Sequence, residues 1–293
     1  MDIIPLQLSV PLVDERYIVE EDVQLFRTYI YDIYAQYGRS LPWRHTEDPY
    51  HVLVSEIMLQ QTQVHRVIVK YHEFLARFPT LNDLATATLR DVLAVWIGLG
   101  YNRRGAALYQ AAQIIVDQHE GKVPQDSHAL VDLPGIGANT VGSIQAFAFN
   151  MPSVFIETNI RSVFLHTWFR DEDNIHDRLL IPIIQQTLDA QNARVWYYAL
   201  MDYGALLKKY IVNPSRKSKH YSRQSKFEGS DRQIRGIIIR QLTLHPILTW
   251  QEIMSYVQDS EERVQKIMQQ LLDEELVHQT PNSSFMICNR TQF

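Results

Sequence analysis

Leu133-Pro134-Gly135-Ile136-Gly137 is the stretch on which the fold of this chain turns. Two glycines two positions apart lie between segments of helical periodicity. Glycine enters left-handed backbone without a steric penalty, so the spacing predicts a tight hairpin with exposed N–H groups. A hairpin that leads into a helix N-terminus holds a phosphate without using a side chain. Twenty residues after Gly137 stands an acid, Glu157, followed by Thr158-Asn159, a good helix start. A helix N-terminus stabilises an anion, which favours a charged carboxylate here. Glu157 therefore has two readings: a plain capping acid, or a carboxylate acting on whatever carries the phosphate.

Outward from the hairpin the pattern is almost wholly helical. Segments 21–37, 49–62, a second helix after it to about 78, 88–97, 103–119, a short helix capped by Ser127, 138–149, 158–169, 176–190 and 193–207 carry helical apolar spacing or start signals such as Asp48-Pro49. Gly98-Leu99-Gly100 lacks the context of a nucleotide fingerprint and reads as a helix stop presenting Tyr101. Between 208 and 226 come seven Lys/Arg (208, 209, 216, 217, 219, 223, 226) and no acid. Gly229-Ser230 reads as a hinge. Beyond it, helices over 231–243, 249–257 and 261–274 and strands over 277–279 and 285–287 suggest a small winged-helix-like unit. Its presumptive recognition helix sets Arg263 and Lys266 against Glu261, Glu262, Asp273 and Glu274, which is not a basic face.

The bulk numbers set bounds. With 293 residues, 46% hydrophobic and 21% charged, the chain has room for one large domain or two ordinary ones. A net charge of −5 argues weakly against nucleic-acid binding but is silent on local clustering. Cys288 is the one cysteine, so an internal disulfide and a cysteine-ligated metal cluster are excluded, which suits a reducing cytoplasm. The first twenty residues, with Pro5 and Pro11, lack the basic and apolar regions of a signal peptide. No apolar run is long enough to span a bilayer. The eleven histidines show no metal-ligand spacing. No metal is expected.

A second acid lies in Val52-Leu53-Val54-Ser55-Glu56-Ile57-Met58-Leu59. A carboxyl in so apolar a run is poorly solvated, which favours its protonated form, as a general acid requires. The alternative is a partly exposed glutamate on a helix's polar edge. One acid disposed to be protonated and one disposed to be charged is the pattern of glycosidic bond cleavage through an oxocarbenium-like state.

Leu41-Pro42-Trp43-Arg44, Asp48-Pro49-Tyr50, Ser55-Glu56-Ile57-Met58-Leu59-Gln60-Gln61-Thr62-Gln63-Val64, Phe78-Pro79-Thr80, Trp96-Ile97-Gly98-Leu99-Gly100-Tyr101 and the glycine hairpin resemble MutY-type adenine DNA glycosylases of the helix-hairpin-helix superfamily. The resemblance covers roughly residues 20 to 207, and the run 55–64 is its most specific part. It implies an all-α, two-subdomain glycosylase fold over 1–227. A helical barrel would span about 46–150, and the second subdomain about 20–45 plus 151–227. The winged-helix-like domain, 228–293, would follow. The active site would lie in the cleft between the subdomains.

The resemblance also implies roles. The target nucleotide is flipped out of double-stranded DNA carrying a mismatched or damaged pair. Glu56 protonates the purine at N7. Glu157 stabilises the sugar cation, and Asn159 orients the carboxylates. Gln61 and Tyr101 match residues that wedge into the duplex, with Thr62 among the DNA contacts. Arg39 and Leu41 match base-pocket positions. Gly135 and Gly137, with Asn139 and Thr140, would hold a phosphate. Asn139 stands where bifunctional relatives carry a lysine nucleophile, so base removal without strand cutting is expected. A monomer associated with the cytoplasmic nucleoid is expected too.

Four departures qualify the match. Glu157 stands where the family usually has aspartate. Tyr198 replaces a polar Gln or Glu near the base; a tyrosine there can stack on a flipped base. After Gly204-Ala205 the four cluster cysteines of most members are missing, so no iron–sulfur cluster is expected. The basic segment 208–226 would take over its DNA contacts, or serve as a solvated linker. Finally, residues 228–293 are not expected to form the usual C-terminal domain that helps read 8-oxoguanine. Alternatives are a related glycosylase for another base or mismatch, and a non-catalytic DNA-damage-binding or regulatory protein.

Overall fold

The computed structural model describes residues 17–222 and 226–288. The signal-peptide reading of the N-terminus and Arg223 of the basic segment thus fall largely or wholly outside the described residues. Fourteen α-helices are described: α1 (Glu20–Tyr37), α2 (Pro49–Leu59), α3 (Val64–Arg77), α4 (Leu81–Ala85), α5 (Leu89–Trp96), α6 (Arg103–Gln118), α7 (Ser127–Val131), α8 (Ala138–Phe149), α9 (Thr158–Trp168), α10 (Asp177–Thr187), α11 (Ala193–Tyr210), α12 (Asp231–Leu244), α13 (Trp250–Val257) and α14 (Glu261–Asp273). Three short strands, β1 (Leu248–Thr249), β2 (Val277–Gln279) and β3 (Ser284–Ile287), form an antiparallel sheet in the order β1-β3-β2. The expected helices are all present. α4 and β1 were not anticipated: α4 is a single capped turn with too few residues to show a period, and β1 has two residues. Among the described residues no helix is long and apolar enough to cross a membrane.

Two compact units form, one within Met1–Glu47 and Gly137–Arg223, the other within Asp48–Ile136 and Gln224–Phe293. The division falls at Gly137, not near 150. The reason is that α8 packs on α11. Phe147 stacks on Tyr198 at 4.7 Å, and Gly142 faces Phe155 so closely that a Cβ would come within 2.7 Å of it.

In the first unit, Phe26 of α1 is fully buried among Phe164, Trp168 and Trp196, all in edge-on contact. α9 and α11 make the tightest approach. A Cβ on Gly204 would sit 2.2 Å from the Asn159 carbonyl oxygen, so only glycine lets the two backbones meet there.

In the second unit, Trp96 at the end of α5 is fully buried against Phe74 and Gly105. The C-terminal helices are not carried on a free hinge. α12 packs on α5, and Arg90 donates to the Thr243 carbonyl through Nε (3.0 Å) and Nη2 (2.8 Å). The segment expected to form a separate domain thus belongs to the same compact unit as α2–α7.

Gly204→Ala is expected to cost about 2 kcal/mol or more, since the clash is with backbone that cannot rotate away. Gly236→Ala, mid-α12 with nothing within 4 Å of a new Cβ, is expected to gain up to about 1 kcal/mol. Urea denaturation of the two variants checks both signs.

Candidate active site

In the second unit, α2 starts where Asp48 accepts from the Tyr50 N–H at 2.8 Å, with Pro49 at its first position. None of its residues is exposed. Glu56, half-buried between buried Ser55 and Ile57, is its one acid.

Beyond Leu59 the backbone turns sharply. Gln61 is exposed with φ +55°, a left-handed conformation that a non-glycine residue adopts at a cost. Tyr101 is the second such residue, with φ +48°, directly after Gly98 (φ +100°) and Gly100 (φ +75°). One side chain holds both turns. Arg104 Nη1 donates to the carbonyls of Ile57 (2.9 Å), Met58 (3.0 Å) and Gln60 (2.6 Å). Its Nη2 donates to Thr62 Oγ1 (2.9 Å) and to the Gly100 carbonyl (3.1 Å). The guanidinium also lies 5.6 Å from the Trp96 ring centroid and 5.5 Å from that of Tyr101. Burial pulls its pKa down to about 10, so it remains charged at neutral pH. The glycine hairpin joins this assembly: Gln60 Nε2 donates to the Gly135 carbonyl at 3.1 Å.

The hairpin is built as the spacing predicts. Leu133 and Ile136 are buried anchors, whereas Gly135, Gly137 and Asn139 are exposed and Thr140 is half-buried. Gly135 has φ +79°, and a Cβ on it would lie 2.9 Å from that of Ala107. Gly137 is extended and caps α8; a Cβ there would meet nothing within 4 Å, so its bare backbone keeps open space clear.

In the first unit, Glu157 itself is the N-cap of α9, one residue earlier than the Thr158-Asn159 pair suggests. Its Oε1 accepts from the N–H groups of Asn159 (2.8 Å) and Ile160 (3.1 Å). Its Oε2 accepts from Asn159 Nδ2 at 3.3 Å. The Asn159 amide is fixed from its other end, where Oδ1 accepts from Lys208 Nζ at 2.8 Å. Burial pulls the Lys208 ammonium below the usual lysine range, while the Glu157 charge works the other way. Asn139 Oδ1 accepts from the Ile156 N–H at 3.2 Å and ties the backbone before Glu157 to the first turn of α8.

The residues after Ala205 do not fit an iron–sulfur cluster. Such a cluster takes cysteine thiolates, and this segment holds none; Lys208 points to Asn159 instead. The chain then folds back on α9. Ser215 Oγ lies 3.0 Å from the Thr158 carbonyl and 2.7 Å from Ser162 Oγ, and Ile175 bridges to the 217–219 backbone. The linker alternative for 208–226 therefore fails as far as residue 219. Lys208 and Lys217 are spent on the protein's own oxygens, whereas Lys209, Arg216, Lys219 and Lys226 are exposed.

Arg39, Leu41 and Tyr198 are tied into this unit. Asp202, with only 3% of its side chain exposed, accepts from Arg39 N (2.6 Å) and Nε (2.7 Å) and from both Arg44 Nη atoms (2.8 Å each). Burial pushes the Asp202 carboxyl up, but the two arginines outweigh it and hold it below the usual range. Leu41 is buried. The Tyr198 ring is buried too, stacked on Phe147 with the Arg44 guanidinium 4.5 Å from its centroid. The expected stacking of Tyr198 on a base gives way to internal packing: the ring is committed to its neighbours.

Glu56, Gln61, Thr62, Tyr101 and Gly135 thus belong to one unit, and Arg39, Leu41, Gly137, Asn139, Thr140, Glu157, Asn159 and Tyr198 to the other. Arg104 and Asp202 escaped the sequence reading, and Arg44 and Lys208 entered it only as members of a motif and a basic segment, without these partners. The one signal for Arg104 is its place a turn beyond the Gly98–Tyr101 stop.

Asp202→Asn leaves two arginines without their counter-charge and is expected to cost about 3 kcal/mol at pH 7. Because the folded-state pKa lies below the unfolded value, this stabilisation is present above about pH 4 and lost as pH falls further. The deficit of the variant, read from denaturation at a series of pH values, should shrink over that range.

Residues 54–191 match the HhH-GPD superfamily base excision DNA repair protein family. Among curated relatives, the adenine DNA glycosylase of Buchnera aphidicola subsp. Baizongia pistaciae is 36% identical over 185 residues, 62% of this chain and 53% of that one. That of Mycobacterium tuberculosis is 40% identical over 131 residues, 44% and 43% of the two chains. The human adenine DNA glycosylase is 35% identical over 196 residues, 63% and 36%. The chain thus spans about half the length, or less, of these relatives. Among solved structures, a thermostable thymine-DNA glycosylase superposes with a TM-score of 0.59 at 24% identity, over 67% of this chain and 91% of that one. Endonuclease III in a non-covalent DNA complex gives 0.51 at 15% identity, over 66% and 87%. Both likenesses are of fold.

Proposed function

We propose, from the match of residues 54–191 to the HhH-GPD superfamily base excision DNA repair protein family, that this protein is an adenine DNA glycosylase acting on adenine mispaired with 8-oxoguanine or guanine. The bond broken joins C1′ of the sugar to N9 of the base. Glu56 donates a proton at N7, and the electron pair of the breaking bond leaves with the neutral base. Glu157 stabilises the sugar cation, or bonds C1′ transiently. Water then adds at C1′, displacing Glu157 where that bond has formed, and gives its proton to the Glu56 carboxylate, leaving an abasic site.

The contrast between the two acids carries the reading. Glu56 is half-buried on a helix with no exposed residue, the setting of a proton donor. Glu157 caps a helix start, where two backbone N–H groups fix its carboxylate in place. The 32–40% identity to adenine DNA glycosylases supports adenine as the base. Base removal alone is proposed, because Asn139 offers no amine to the sugar. No iron–sulfur cluster takes part. The partner is duplex DNA, and the acting form is a monomer.

Duplexes carrying A·8-oxoG, A·G, G·T, G·U or hypoxanthine, incubated with the protein and then treated with alkali, test this. Strand breaks are expected at adenine opposite 8-oxoG or G; breaks only at another base transfer the activity to that base. Glu56→Gln is expected to abolish breaks while duplex affinity holds, and an active Glu56→Gln variant contradicts the assigned proton donor. Borohydride should trap no covalent adduct.

A further inference from the structure

The Asn159 side chain stands between two groups of opposite hydrogen-bonding character. On one side its Nδ2 donates to Glu157 Oε2 at 3.3 Å, and on the other its Oδ1 accepts from Lys208 Nζ at 2.8 Å. The two ends of an amide have nearly the same shape, so its orientation is set by its partners. A carboxylate only accepts and an ammonium only donates. Turning this amide over would set Oδ1 against the carboxylate and the NH2 against the ammonium, and both contacts would repel. The lysine thus selects the orientation in which Asn159 offers its N–H to Glu157.

The fold brings Lys208 there. It follows Gly204 by one helical turn on α11, on the face that Gly204 presses against α9. Its Nζ also donates to the Thr158 carbonyl at 3.3 Å, which accepts from the hydroxyls of Ser162 (2.7 Å) and Ser215 (3.0 Å) as well. Among the described residues the hydrogen-bond partners of this ammonium are these two neutral oxygens, and no carboxylate pairs with it directly. The side chain is half-buried; burial pulls the ammonium below the usual lysine range, and the Glu157 charge opposes that pull. Taking an ammonium out of water costs free energy, and no direct ion pair offsets the cost here. Its shortest contact goes instead to the one amide that touches Glu157.

We propose that Lys208 is a positioning residue for base excision: it fixes the Asn159 amide so that Nδ2 donates to Glu157, and thereby holds that carboxylate where the sugar cation forms. The proposal rests on the reading of Glu157 as the residue that meets the sugar cation. In this role Lys208 acts through Asn159 and need not touch the DNA.

The test measures single-turnover release of adenine from an A·8-oxoG duplex, and the dissociation constant of the same duplex, on the full chain. Lys208→Met is expected to slow release about tenfold to a hundredfold, the cost of a displaced catalytic group. The dissociation constant should stay within about twofold, the split expected of a group that acts on the transition state and not on binding. Lys122→Met, which also removes one positive charge, from a side chain 83% exposed, should change neither quantity. Rescue separates positioning from packing. In a Cys288→Ser chain, Lys208→Cys should be as slow as Lys208→Met. Alkylation with 2-bromoethylamine then restores an ammonium at lysine length, with sulfur in place of Cγ, and should recover most of the rate. In an Asn159→Ala chain, Lys208→Met should cost less than about twofold, because the route through the amide is already cut. Where Lys208→Met does not fold, Lys208→Gln, whose amide falls short of Asn159, takes its place with the same expected loss. A folded variant that releases adenine at the wild-type rate, a failed rescue, or an undiminished loss in the Asn159→Ala chain overturns the proposal. A wild type that releases no base sinks the proposed function and this role with it. A wild type that releases adenine beside an equally active Lys208→Met keeps the function and sinks the role alone.

Discussion

One guanidinium organises the second unit's part of the site. Arg104 reaches the carbonyls that α2 leaves open at its C-terminal end, the Thr62 hydroxyl and the Gly100 carbonyl, and it lies against the rings of Trp96 and Tyr101. Helix ends leave such carbonyls without intrahelical partners, and a buried one left unmet costs on the order of 1–3 kcal/mol. A planar group with several fixed donors meets them together, which an ammonium cannot do. The consequence is that Gln61 and Tyr101, both in left-handed backbone, share one anchor, and Gln60 extends it to the hairpin at Gly135. Strain of this kind persists where surrounding structure over-determines it, and Arg104 is that surrounding structure.

The first unit solves a related problem by close approach. Gly204 brings α11 onto α9, and one turn later Lys208 reaches the Asn159 amide that itself donates to Glu157. The additional methylene of glutamate is absorbed locally, because the carboxylate curls back onto the N–H groups of its own helix. Where relatives of this kind would place a metal cluster after α11, serine hydroxyls and a short backbone bridge dock the chain on α9 instead.

Local features were legible in the sequence. The hairpin was, because glycine spacing dictates backbone conformation directly, and so were most helices, whose apolar period is a local property. Glu56 stood out because it interrupts an apolar run, and the structure sets it on a helix with no exposed residue. What stayed hidden depends on residues far apart in the chain. Asp202 with Arg39 and Arg44 spans more than 150 positions, and Lys208 with Asn159 spans 49; no local pattern announces either. The packing of Tyr198 was hidden for the same reason, since its partners Phe147 and Arg44 are remote in the chain. The C-terminal helices read as a separate domain because Gly229-Ser230 resembles a hinge, and only the α12–α5 contact shows otherwise.

The central claim is that Arg104 holds Gln61, Tyr101 and the hairpin as one preformed surface, the one the proposed function assigns to DNA. Arg104→Lys keeps the charge and removes the planar fork, so single-turnover release of adenine from an A·8-oxoG duplex tests the claim directly. With far-UV circular dichroism unchanged, the rate should fall about a hundredfold, the cost of displacing positioned groups by about 1 Å. A folded Arg104→Lys protein that releases adenine at the wild-type rate would contradict it.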